Sequence, residues 1–223
     1  MPPVAAPSVI FDWDGVIVDS SRAHEIAWEQ LGVETGRPMP EGHFKAGFGR
    51  KNEQIIPQIL KWQLPEAEIV RLGRRKEELY REALKDTGIA PLPGVIEFLN
   101  RLRGAGIACA VGSSTERKNI ETIMGIIGLA DTFRAIVSAE DVTRGKPDPQ
   151  VFLTAARRIG ADPRNCVVFE DAFAGLEAAR AGGMKAIGVA TTHPADALVD
   201  RADRVVHRLD EVSVADLQTL VTG

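Results

Sequence analysis

Apolar positions along the chain fall into two recurring patterns. The first is the short unbroken run: "SVIF" (Ser8 to Phe11), "IACAVG" (Ile107 to Gly112), "AIVS" (Ala135 to Ser138), "CVVFE" (Cys166 to Glu170) and "AIGVA" (Ala186 to Ala190). A strand with one wet face alternates apolar and polar residues, so unbroken runs predict strands covered on both faces. The second pattern repeats every three to four residues, as in Val95, Ile96, Phe98, Leu99 and Leu102, and again in Ile120, Ile123, Met124 and Ile127. That spacing puts the apolar side chains on one face of a helix. Strand and helix alternating in this way predict an α/β fold, a doubly wound parallel sheet.

One segment breaks the alternation. Between Ser21 and Thr87 no comparable apolar run occurs, and the pattern predicts helices over Ala23 to Leu31, Glu53 to Trp62 and Pro65 to Leu84. The stretches "ETGRPMPEG" and "TGIAPLPG" punctuate the segment, the second returning the chain to the strand-rich part. The expected organisation is an α/β core over 1–20 and 88–223, with a helical cap inserted at 21–87.

Composition narrows the classes. The chain has 223 residues, 44% of them hydrophobic, enough for a sizeable core, and a formal net charge of −4. An acidic balance with scattered basic residues gives no footprint for nucleic acid. The one basic cluster, Arg71 to Lys76, reads as a solvated helix face. No apolar stretch reaches the roughly 20 residues of a membrane span, and "MPPVAAPSVIF" lacks the basic and apolar regions of a signal peptide. A cytoplasmic protein with no membrane partner is expected, as a monomer or a dimer. Cys109 and Cys166 each sit inside an apolar run and read as buried free thiols.

In open parallel sheets the ligand crevice lies at the carboxyl ends of the strands. The residues there are Asp12 and Asp14, then Ser113 and Ser114, then Ser138 with Lys146 shortly after, then Glu170 and Asp171. Asp12 and Asp14 are two apart, so in an extended chain they project to one side about 7 Å apart, with Trp13 turned the other way. Like charges this close need neutralising, and oxygen ligands without His or Cys suit Mg²⁺ paired with a phosphate. Lys146, the Ser113 hydroxyl and the amides of "GSST" opening a helix would meet the phosphate oxygens, and the prolines of "PDP" would start the helix after Lys146. One carboxylate could attack phosphorus while the other moves the proton. Asp19 and Ser20 read instead as the start of the first cap helix.

These motifs, D-x-D-G-x-x-x-D-S, a Ser after the second strand, a Lys before Pro and an E-D pair after a late strand, resemble the haloacid dehalogenase superfamily over Val9 to about Ala190. The resemblance implies Asp12 as nucleophile and Asp14 as general acid/base whose backbone carbonyl also meets the metal. It implies Ser113 and Lys146 as phosphate ligands, and Glu170 and Asp171 as Mg²⁺ ligands. The helical insert resembles the small cap of the β-phosphoglucomutase-like branch. There a G-x-x-R loop, here "GFGR" from Gly47 to Arg50, contributes an Arg to the substrate's distal group. His24, Trp28 and Lys76 also match that branch, whereas Ala46 and Glu53 stand where the mutase has Lys and Ser.

The expected activity is Mg²⁺-dependent hydrolysis of a small phosphorylated metabolite, a sugar phosphate, through an aspartyl phosphate; the alternative is a mutase on the same core residues. Dehalogenation is disfavoured by Asp14 with Glu170 and Asp171, a receiver-type phosphoacceptor by the helical insert, and a nicotinamide site by the absence of G-x-G-x-x-G after the first strand. His43, His193 and His207 have no assigned role.

Overall fold

The computed structural model describes residues 6–47 and 50–223; Phe48 and Gly49, inside the "GFGR" motif, and Met1 to Ala5 lie outside the described residues. The chain divides into two compact units, Met1–Asp19 with Ala90–Gly223, and Ser20–Ile89.

The first unit begins with β1 (Ser8–Phe11), whose four residues are all buried. After the helical unit the chain continues through α5 (Val95–Gly104), β2 (Cys109–Gly112), α6 (Arg117–Ile127), β3 (Ala135–Val137), α7 (Gln150–Ile159), β4 (Cys166–Glu170), α8 (Phe173–Ala181), β5 (Lys185–Val189), α9 (Ala195–Leu198), β6 (Arg204–Val206) and α10 (Val214–Thr222). The six strands form one parallel sheet in the order β3-β2-β1-β4-β5-β6. Connections run one way from β1 to β3 and the other way from β4 to β6. The reversal falls between β1 and β4, and a crevice opens at the carboxyl ends of strands where the winding reverses.

Both faces of the sheet are covered, which accounts for the unbroken apolar runs. On one face Ile10, Ala110 and Val168 pack with Phe152, Ala155, Leu176 and Ala179. On the other, Phe11 stacks on Phe169 with centroids 5.3 Å apart, and Phe98 of α5 lies 5.2 Å from Phe169. Each fully buried Phe contributes about 1.5–3 kcal/mol through the apolar area it removes from water. Cys109 and Cys166 are buried free thiols in the strands flanking β1, opposite Val9 and Ser8, and burial pushes their pKa values up to about 12 and about 11.

In the second unit α1 (Ser21–Thr35) packs against α4 (Glu66–Thr87), with α2 (His43–Gly47) and α3 (Asn52–Gln54) between them in sequence. Three expectations change here. The helix foreseen over Glu53 to Trp62 is α3 followed by a π-helical turn, Ile55–Ile59, around Pro57, whose missing N–H cannot continue an α-helical ladder. Ser20 occupies the N-cap of α1, but its side chain makes no capping hydrogen bond. The Arg71 to Lys76 cluster is solvated only in part, because Leu72, Gly73 and Lys76 are buried. No described helix is long and apolar enough to cross a membrane.

Candidate active site

β1 and β4 pair with Phe11 opposite Phe169, and the Asp12 amide donates to the Phe169 carbonyl at 2.9 Å. This register carries Asp12 out of one central strand beside Glu170 and Asp171 at the end of the other. Beyond Asp14 the chain folds back at once, with the Gly15 amide donating to the Val18 carbonyl at 2.8 Å. Gly15 has φ +78°, and a Cβ there would lie 2.0 Å from Asp171 Oδ2. Only glycine fits both the left-handed turn and the close approach of that carboxylate. Trp13 turns away into the core, its ring edge-on to Phe133.

Asp12, Glu170 and Asp171 are buried, and each places a carboxylate oxygen within 4.8 Å of the others. Lys146, on the loop before α7, joins them: its ammonium lies 2.9 Å from Asp12 Oδ1 and 2.5 Å from Glu170 Oε1. Glu170 Oε2 accepts from the Ala172 amide at 2.7 Å. Room for the Glu170 side chain exists because residue 175 is glycine, where a Cβ would sit 1.7 Å from Oε1.

The charges do not balance. One lysine faces three buried acids. Burial, opposed by Lys146 and reinforced by Glu170 and Asp14, pushes the Asp12 carboxyl up to about 7. Burial, with Glu170 and Asp12, also holds Asp171 well above the usual carboxylate range. Burial would lower the Lys146 ammonium, but Asp12 and Glu170 outweigh it and hold Lys146 above its ordinary value. Asp171 Oδ1 is buried with no hydrogen-bond partner, and the Asp12 Oδ1 contact with Lys146 lies off hydrogen-bond geometry. Unsatisfied, desolvated carboxylate oxygens are costly in an apo site and suit a hard divalent cation with oxygen ligands. The donor set therefore fits Mg²⁺, with an open oxygen on Asp171 and with Asp12 and Glu170 both in contact with Lys146.

The other expected residues fall as follows. Ser113 is buried at the end of β2; its amide donates to the Val137 carbonyl, and its hydroxyl accepts from the Thr115 amide at 3.1 Å. Ser114 is half-buried in the same turn. The "GSST" stretch precedes α6 and does not form its first turn, since α6 begins at Arg117 with Glu116 at its N-cap. Likewise the prolines after Lys146 precede α7, with Pro149 at the N-cap. Ser138 is committed to structure, forming a capping box with Asp141, which also binds Arg117 and Arg158.

Three threonines were not foreseen. The Thr115 hydroxyl donates to Asp14 Oδ2, the Thr192 hydroxyl donates to Asp171 Oδ2, and the Thr191 hydroxyl donates to the Gly15 carbonyl at 2.5 Å. Thr115 lies in the turn after β2 that the sequence pattern marks, and Thr191 and Thr192 follow β5, a strand end at which no carboxylate or motif stands out.

In the helical unit, Lys76 is buried on α4. Its ammonium lies 2.6 Å from His24 Nδ1 on α1 and 2.8 Å from Glu77 Oε1, and it sits 5.3 Å from the centroids of both Trp28 and Tyr80. The Asn52 amide donates to Glu77 Oε1 at 2.7 Å, and His24 stacks on Tyr80. Arg50 is exposed, and its amide donates to the Gly47 carbonyl at 3.1 Å.

A family model described as haloacid dehalogenase-like hydrolase matches residues 7–183. The chain is a haloacid dehalogenase-like hydrolase. Among its relatives, the chloroplastic 5-amino-6-(5-phospho-D-ribitylamino)uracil phosphatase of Arabidopsis thaliana is 38% identical over 213 residues, covering 95% of this chain. This hydrolase spans 57% of the length of that protein. The fructose-1-phosphate phosphatase of Escherichia coli is 35% identical over 181 residues, 81% of this chain and 95% of the relative. A crystal structure of β-phosphoglucomutase from Clostridium difficile superposes with a TM-score of 0.85 at 26% identity over 98% of each chain.

Proposed function

We propose that this haloacid dehalogenase-like hydrolase is a Mg²⁺-dependent phosphatase acting on a small phosphate ester, a sugar phosphate, by way of an aspartyl phosphate on Asp12. The observation that carries the reading is the cluster at the switch point: Asp12, Glu170 and Asp171 buried together, with Lys146 in contact with two of them. Such a set has little structural use, because three acids against one lysine cost more in desolvation and repulsion than they return.

Asp12 is the nucleophile, at the end of a strand whose pairing on both sides fixes its backbone. Asp14 is the general acid and then the base. Its carboxylate is held by the Thr115 hydroxyl, so the proton it delivers to the leaving oxygen is released from a fixed place. The Ser113 hydroxyl, the Ser114 turn and the Lys146 ammonium receive the phosphoryl oxygens, where preformed donors stabilise charge that grows in the transition state. Mg²⁺ held by Asp12, Glu170, Asp171 and the Asp14 carbonyl would neutralise the acids and favour the ionised nucleophile. Hydrolysis of the aspartyl phosphate by water, with Asp14 taking its proton, returns the enzyme.

In the helical unit Arg50 and Gly47, with His24 and Lys76, recognise the part of the substrate away from the phosphate. The phosphatase relatives support hydrolysis over the mutase alternative. The test is phosphate release over a panel of sugar phosphates with Mg²⁺ or EDTA, with β-glucose 1-phosphate and a trace of bisphosphate followed for isomerisation. Release that requires Mg²⁺ and falls to background in Asp12→Asn is expected. Undiminished release by that variant would remove the nucleophile assignment, and isomerisation without release would favour the mutase. Arg50→Ala should raise KM for the best substrate about tenfold, worth about 1.4 kcal/mol, and more than for p-nitrophenyl phosphate. Equal effects on both would take Arg50 out of recognition.

A further inference from the structure

Three loops meet at Asp171. The loop after β1 brings Gly15, the end of β4 brings Asp171 itself, and the loop after β5 brings Thr191 and Thr192. The Thr191 hydroxyl donates to the Gly15 carbonyl at 2.5 Å, tying the third loop to the first. The Thr192 hydroxyl donates to Asp171 Oδ2, tying the third loop to the second. At Gly15 a Cβ would stand 2.0 Å from Asp171 Oδ2 and 3.2 Å from Thr192 Oγ1, so the contact depends on a residue with no side chain there.

The bond leaves the two oxygens of Asp171 unlike. Oδ2 has the threonine. Oδ1 is buried with no hydrogen-bond partner among the described residues and belongs to a carboxylate with no solvent exposure. The threonine bond resists rotation that would exchange the two, so Oδ1 stays the unpartnered oxygen of a carboxylate that lies within reach of those of Asp12 and Glu170. Groups that orient a metal ligand in this way set the affinity of the metal as strongly as many ligands do.

We propose that Thr192 is a positioning residue for the divalent-cation site: its hydroxyl fixes the Asp171 carboxylate with Oδ1 presented to the cation. The inference rests on the reading of the acid cluster as a Mg²⁺ site. Thr192 touches neither substrate nor phosphate in this scheme. Its effect is on cation affinity, through Asp171.

The experiment is calorimetric titration of the metal-free full chain with MgCl₂, for wild type, Thr192→Val, Thr192→Ala and Thr192→Ser, with thermal unfolding in EDTA as the record of folding. Wild type binds Mg²⁺. Thr192→Val and Thr192→Ala raise Kd about 10- to 100-fold while Tm in EDTA changes little, and Thr192→Ser, which keeps the hydroxyl, returns Kd close to the wild-type value. A Kd unchanged in both hydroxyl-less variants would overturn the proposal. So would a loss in Thr192→Ser equal to that in Thr192→Val, because a side chain that keeps the hydroxyl would then fail to hold Asp171. Absence of Mg²⁺ binding by wild type would overturn the metal reading and this inference with it. The arms separate the two failures, because wild type alone reports on the metal site.

Discussion

Among the described residues two groups of buried charges occur, one in each unit, and they are built on opposite principles. In the helical unit Lys76 and Glu77 form a one-to-one pair with side chains 3% and 6% exposed, and Asn52, His24, Trp28 and Tyr80 surround it. Burial pushes the Glu77 carboxyl up, but Lys76, His24 and Asn52 more than offset it, and the net position is below the usual carboxylate range. In the α/β unit three buried acids share one lysine, and Asp12 and Asp171 are held above that range. The first group satisfies itself. The second is left short of positive charge, with one lysine against three acids.

The largest effect on stability should follow from breaking the balanced pair. Glu77→Ala leaves the Lys76 ammonium buried without its carboxylate and should cost about 3–5 kcal/mol in denaturant unfolding. The double replacement Lys76→Met with Glu77→Leu removes both charges and should recover most of that loss. A cost for Glu77→Ala under about 1 kcal/mol would show that the pair is not balanced in the way its contacts indicate.

Next comes Gly175→Ala. Its Cβ would meet Glu170 Oε1 at 1.7 Å, and Glu170 cannot swing aside cheaply because it is fully buried and tied to Lys146 and the Ala172 amide. A loss of about 1–3 kcal/mol is expected, together with phosphatase activity reduced more than the folded fraction. Full activity in a stable Gly175→Ala protein would show that Glu170 does not need that position.

The two groups should also respond to pH with opposite signs. A carboxyl raised to about 7 in the folded metal-free chain, against about 3.9 unfolded, binds its proton more tightly when folded. Stability from Asp12 is therefore greatest below about pH 4 and declines by up to about 1.4 kcal/mol per pH unit as pH rises to about 7. Glu77, held below its ordinary value, contributes stability above about pH 4.3 that is lost as pH falls. In EDTA, the stability of Asp12→Asn relative to wild type should climb between pH 4 and pH 7. The deficit of Glu77→Gln should shrink on acidification below pH 4. Parallel trends in the two variants would contradict the contrast.

Much of this is legible in the amino-acid sequence. The runs at Ser8, Ile107, Ala135, Cys166 and Ala186 are strands because both faces of a wound sheet must be apolar, and the register of β1 with β4 then brings Asp12 to Glu170. β6 escapes the apolar pattern, because Arg204–Val206 is a three-residue edge strand set among charged residues. Lys76 was placed both on a solvated face and among the ligands of the cap. Side-chain periodicity does not tell a snorkelling lysine from one drawn inward by a neighbouring Glu and His. Thr115 and Thr192 are not legible in the sequence, because a hydroxyl in a loop is ordinary until a carboxylate lies on it.

The acid cluster of the α/β unit is short of positive charge, and the proposed function has a divalent cation complete it. Thermal unfolding of wild type and Asp171→Asn, each in EDTA and in saturating Mg²⁺, decides between the outcomes. Wild type should gain about 2.7 kcal/mol at a Mg²⁺ concentration 100 times Kd. Asp171→Asn should be more stable than wild type in EDTA, having lost a repelled charge, and should gain much less from Mg²⁺. An Asp171→Asn protein less stable than wild type in EDTA, and stabilised by Mg²⁺ to the same extent, would contradict the account.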